Sequence, residues 1–118
     1  MPSVAVSVIL PVFNEADNLE PLTRDILDAL DDTGRSYEII FIDDGSTDGS
    51  LEVLTALQRT HSSIVVIEFR RNFGQTAALA AGLRAAEGEV MVTMDADRQN
   101  DPKDIGMLLR EIDQGMDL

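Results

Sequence analysis

Four short aliphatic runs, residues 4–12, 37–42, 64–69 and 90–94, each give way to turn residues and then to a stretch of helical period. Nothing else in the sequence constrains the fold as strongly. Near-continuous apolarity with many β-branched residues is the pattern of strands covered on both faces, as in a parallel sheet. After the first run, Leu19, Leu22, Ile26, Leu27 and Leu30 share one helical face, with Glu20, Asp25, Asp28 and Asp31 turned away and Gly34 closing the helix. The second helix reads Leu51, Val53, Leu54 and Leu57 behind the capping candidates Ser46, Thr47 and Asp48. The third, residues 76–86, is built largely of alanine with Gly82 inside, so close helix-to-sheet packing is expected. Asp101-Pro102 is a helix start, with Ile105, Leu108, Leu109 and Ile112 as its apolar face. Met116-Asp117-Leu118 reads as the approach to a further strand, and the sequence therefore as one cut short at its carboxyl end.

Alternating βα units predict an α/β fold, a doubly wound parallel sheet with helices on both faces and ligands at the carboxyl ends of the strands. The length of 118 residues fits a single domain over 1–118. Nine Lys+Arg against 22 Asp+Glu give a net charge of −13, which repels a phosphate backbone and argues against a nucleic-acid partner. An anionic small ligand must then be held by backbone N–H groups, a few arginines or a divalent cation. With no cysteine, disulfides, zinc-thiolate sites and thiol nucleophiles are excluded. The run over 4–12 is short, lacks a basic flank and reaches Pro11, so it is read as neither signal peptide nor span, and a cytoplasmic location is expected.

The polar loops after the four runs carry the chemistry. Asp95 and Asp97 flank a small residue, Ala96, at a strand end, and Gln99 follows with a carbonyl oxygen. Hard cations such as Mg²⁺ or Mn²⁺ take such oxygen ligands and bridge carboxylates to phosphates. Spacing alone leaves open a loop-capping Asp95 and a solvated Asp97. Asp43 and Asp44 end the second strand, where one carboxylate can accept from turn N–H groups and the other from a base or ribose; turn chemistry for both is equally open. Glu15 is favoured by a helix dipole with or without a ligand. Arg70, Arg71 and Gln75 form a polar, basic loop in which either arginine could pair with a phosphate or neutralise neighbouring acids. His61 precedes the third strand, at the wrong end of the sheet, and reads as surface.

Taken together, residues 8–15 (VILPVFNE), 42–48 (IDDGSTD), 71–75 (RNFGQ) and 94–97 (MDAD) resemble the inverting glycosyltransferase family 2, over nearly the whole chain. Residues 71–75 and 99–102 (QNDP) are most similar to its polyprenyl-phosphate sugar transferases, the dolichyl- and undecaprenyl-phosphate type. The resemblance implies a GT-A fold with a Rossmann-like nucleotide-binding half. It implies Pro11, Phe13, Glu15 and Asp44 around the nucleoside, Asp43 supporting the turn, and Gln75, Asp95 and Ala96 lining the donor site. Asp95, Asp97 and Gln99 would hold Mg²⁺ or Mn²⁺ against the diphosphate. Arg98 departs from the pattern, where an apolar residue is more usual. The implied donor is a nucleoside-diphosphate sugar and the acceptor a lipid phosphate at the cytoplasmic face of a membrane. Catalytic residues on the acceptor side would lie beyond this segment, so the segment by itself is expected to be inactive and, with an uncovered sheet, to form a homo-oligomer. The alternatives are a nucleotide-binding module inactive on its own and a receiver-like signalling domain, and two folds with similar acidic motifs match the pattern less well. A haloacid-dehalogenase phosphatase also has Asp-x-Asp but needs Thr or Val where Gln99 stands. A receiver-like signalling domain carries its acidic pair after the first strand, not the second.

Overall fold

The computed structural model describes residues 4–96, as a parallel sheet flanked by three helices in the order β1 (Val6–Val12), α1 (Ala16–Asp31), β2 (Tyr37–Asp43), α2 (Ser50–Thr60), β3 (Ile64–Glu68), α3 (Gln75–Ala85) and β4 (Val90–Thr93). The sheet order is β3-β2-β1-β4. Asp97, Gln99, the expected helix after Pro102 and the expected approach to a fifth strand lie outside the described residues.

Alternation along the strands sorts the core into two layers. Val6, Val8, Leu10 and Val12 of β1, with Ile39 and Phe41 of β2, pack on Leu19, Leu22, Ile26 and Leu30 of α1 and Leu54 of α2. Ile9, Ile40 and Ile42 face the other way, onto Ala78 of α3. The connections β1-α1-β2 and β2-α2-β3 step one way across the sheet, whereas β3-α3-β4 crosses back, and right-handed crossovers put α3 on the opposite face. Gly82 shows why α3 is built of small residues: a Cβ there would lie 2.5 Å from Ile9 Cγ2 and 2.8 Å from Ile42 Cδ1.

Two expectations are adjusted. The third helix begins one residue earlier, at Gln75. The fourth strand is covered less well than a central strand: among the described residues it lies at the sheet edge, and Met91 is exposed on the side of α3. No helix among the described residues is long and apolar enough to cross a membrane.

Candidate functional site

The order β3-β2-β1-β4 places the switch in strand order between β1 and β4, where crevices form outside the carboxyl ends of a parallel sheet. Local chemistry opens that crevice. Ile9 O accepts Met94 N at 3.0 Å, so Ile9 and, two residues on, Pro11 direct their backbone groups toward β4. Pro11 has no N–H to donate, and the register of β1 with β4 runs only as far as Ile9 and Thr93. Beyond it the chains separate, leaving a cavity of about 240 Å³ lined by Pro11, Val12, Phe13, Glu15, Asp44, Gln75, Asp95 and Ala96. Seven of the expected donor-site residues thus meet at one place, and Val12 joins them. A larger hollow of about 640 Å³ at the opposite edge, lined by Asp28, Asp31, Tyr37 and His61 among others, is remote from the strand carboxyl ends.

The loops around the cavity are fastened to one another. Asn14, at φ 55, accepts Thr47 N on its Oδ1 at 2.7 Å and donates its backbone N–H to Ser46 Oγ at 2.9 Å. Asparagine is among the few residues that take this left-handed conformation at little cost. Glu15 N donates to Ser50 Oγ at 3.0 Å, and the Glu15 carboxylate accepts Asn18 Nδ2 at 2.7 Å. Asp48 spans both helix starts: Oδ1 accepts Ser50 Oγ at 2.6 Å and Ser50 N at 3.0 Å, while Oδ2 accepts Ala16 N at 3.1 Å. Ser46 and Thr47 therefore serve the loop-to-loop contact instead of capping α2, whose cap position is Gly49.

The Ser50 hydroxyl first, and the Ala16 and Ser50 backbone N–H groups after it, hold the Asp48 carboxyl below its ordinary 3.8. A folded-state value below the unfolded one adds stability above the unfolded value, and that stability disappears as pH falls through the folded one. The melting temperature of Asp48→Asn is accordingly expected to fall less than that of the unsubstituted chain between about pH 5 and about pH 2. Parallel pH dependences of the two melting curves would remove Asp48 from this role.

The acidic pair divides its tasks differently from the expectation. Alternation turns Asp44 to the side of α3, where Oδ1 accepts Phe73 N at 2.7 Å and Oδ2 accepts Gly74 N at 3.1 Å and Asn72 Nδ2 at 3.2 Å. Asp44, not Asp43, is thus the carboxylate that takes backbone N–H groups, though it also lines the cavity. Asp43 is buried and does not line the cavity, and its Oδ1 lacks a hydrogen-bond partner among the described residues, a costly state for a carboxylate. Arg71 lies over the ring of Phe73, 4.8 Å from its centroid, and Phe73 meets Phe69 edge to face at 5.6 Å. Asn72 and Asn14 were not singled out for these fastening roles in the sequence, because their partners lie 28 and 33 residues away.

Of the expected metal ligands, Asp95 stands at the cavity with Oδ1 accepting Gln75 Nε2 at 3.3 Å, while Asp97 and Gln99 lie outside the described residues. Among the described residues no three acidic or histidine side chains converge on a point that could hold a metal. Asp95 supplies hard oxygen at a strand end, a donor suited to Mg²⁺ or Mn²⁺.

A doubly wound α/β sheet with an acidic crevice at its switch point is the architecture of the GT-A glycosyltransferases, and solved structures agree. The chain superposes on the S. aureus TarS 1-349 structure in complex with UDP with a TM-score of 0.73 over 94% of this chain and 32% of that one, at 23% identity. A mannosyltransferase from Pyrobaculum calidifontis, solved with GDP-Man and Mn²⁺, is 31% identical with a TM-score of 0.64 over 82% of this chain and 28% of that one. The chain belongs to glycosyl transferase family 2, whose family model matches residues 7–118. Its relatives include the undecaprenyl-phosphate 4-deoxy-4-formamido-L-arabinose transferases of Edwardsiella ictaluri, 44% identical over 96% of this chain, and of Salmonella typhimurium, 42% identical over 99% of it. The chain spans 35% and 36% of the lengths of these relatives.

Proposed function

We propose that this chain is the donor-binding part of an inverting glycosyltransferase that moves a sugar from a nucleoside diphosphate to a polyprenyl phosphate at the cytoplasmic face of a membrane. The observation that carries this reading is the cavity at the switch point, lined by Pro11, Phe13, Glu15, Asp44, Gln75, Asp95 and Ala96. The acceptor class is supported by the names of the undecaprenyl-phosphate transferases that the chain resembles.

Phe13 and Pro11 offer an apolar surface for a base, and Glu15 offers an acceptor for base or ribose donors. Among the described residues the cavity is lined by three carboxylates, Glu15, Asp44 and Asp95, and by no basic side chain. A diphosphate would be repelled there unless a cation is bound with it. Asp95, Asp97 and Gln99 are the residues that would hold Mg²⁺ or Mn²⁺; the ion supplies stabilisation of the charge on the departing diphosphate. Displacement at the anomeric carbon forms a bond from the acceptor phosphate oxygen as the bond to the donor diphosphate breaks on the opposite side, which inverts the centre. The chain's own residues contribute by fixing the donor in line for that attack.

Thermal unfolding with UDP, GDP or CDP, each with and without Mn²⁺, tests the reading. One nucleotide is expected to raise the melting temperature in the presence of Mn²⁺, by the equivalent of about 2.7 kcal/mol at a concentration of about 100 times Kd. If none of the three stabilises the chain under either condition, the donor-binding reading fails.

A further inference from the structure

One set of contacts joins the two acidic ends of the cavity. Asp44, at the end of β2, accepts Phe73 N and Gly74 N on its two carboxylate oxygens, and the next residue, Gln75, is the first of α3. Gln75 donates from Nε2 to Asp95 Oδ1 at 3.3 Å, on the loop after β4. The backbone of Gly45 rests against the backbones of Arg71 and Asn72 so closely that a Cβ at residue 45 would overlap both. The start of α3 is therefore held from below by β2.

Resting on the reading of Asp95 as a metal ligand, we infer that Gln75 is a positioning residue for Asp95. An aspartate on a strand-end loop has three χ1 wells and a freely turning carboxylate. A donor on a side chain whose own backbone is anchored biases the choice among them. A neutral amide suits the task, because it donates to the carboxylate without adding a charge that would repel a cation. Partners one shell out from a metal act this way, and their loss commonly weakens metal binding about 10- to 100-fold. The hydrogen bond from Gln75 also makes the nucleoside end of the cavity, where Asp44 stands, continuous with the cation end.

Two measurements on the chain test this, neither of which needs turnover or nucleotide. Three-bond couplings report the χ1 distribution of Asp95 without metal: one dominant rotamer is expected in the unsubstituted chain, and averaging in Gln75→Ala and Gln75→Met. Free Mn²⁺ followed by electron paramagnetic resonance reports affinity, with both variants expected to bind Mn²⁺ about ten-fold more weakly and to melt at unchanged temperature, since Gln75 is exposed. Gln75→Met keeps the length of the side chain without its donor, so recovery of Mn²⁺ affinity in that variant would make the role steric and overturn the inference. An Asp95 χ1 distribution that ignores Gln75→Ala would overturn it as well, as would unchanged Mn²⁺ affinity. If the χ1 response is present but the unsubstituted chain binds no Mn²⁺ even with a nucleoside diphosphate present, the metal-dependent donor reading falls and Gln75 still positions Asp95.

Discussion

Gly45→Ala is expected to destabilise the chain by about 3 kcal/mol, which corresponds to a fall in melting temperature of about 10 °C in a domain of this size. Two costs add at this position. Gly45 has a φ of +74, where an L side chain is strained, and its Cβ would fall on the carbonyl carbon of Arg71 and the backbone nitrogen of Asn72. Backbone cannot swing aside as a flexible side chain can, so one of the two loops must move. The loop that moves carries Phe73 N and Gly74 N away from the Asp44 carboxylate and disturbs the cavity. Gly34→Ala is the control: its φ is +69, but nothing lies within 4 Å of the added Cβ, so only the conformational cost of about 1 kcal/mol remains. Equal losses in the two variants, measured by chemical or thermal unfolding, would show that the contact between the second and third strand-end loops is not tight.

Asp95→Ala is expected to abolish the Mn²⁺-dependent part of nucleoside diphosphate binding while the melting temperature without ligand stays near that of the unsubstituted chain. Its carboxylate is exposed at the cavity, and no part of the core depends on it. Asp97→Ala, outside the described residues, is expected to do the same on the strength of the Asp-x-Asp spacing. At a nucleotide concentration that stabilises the unsubstituted chain by about 2.7 kcal/mol, either variant should show less than about 0.5 kcal/mol, because removing one of so few ligands lowers apparent affinity more than 100-fold. Isothermal titration with UDP or GDP in Mn²⁺ measures this directly. Unfolding of either variant in the absence of ligand would instead make that carboxylate structural.

Much of the fold was legible because burial leaves a mark on residue choice. Strands covered on both faces are nearly continuous in apolar residues, and the runs containing β1, β2 and β3 are, with Ser7, Glu38 and Glu68 as the polar exceptions; helices covered on one face show the spacing of Leu19, Leu22, Ile26 and Leu30. Parallel strands joined by helices then bring every loop that follows a strand to one edge, so the convergence of Pro11, Phe13, Glu15, Asp44, Gln75 and Asp95 followed from chain order. The sequence could not apportion the work among neighbouring polar residues. Asp43 and Asp44 are chemically identical, and their separation into a buried carboxylate with an unpartnered oxygen and a clamp for Phe73 N and Gly74 N depends on which face of the sheet α3 covers. Asp48 and Ser46 both read as caps for α2, yet Asp48 also reaches the first residue of α1 and Ser46 instead reaches the β1-to-α1 loop, each 32 residues away. Periodicity reports whether a residue is buried; a hydrogen bond depends on distance and angle between groups far apart in sequence, and only the folded chain brings them within reach.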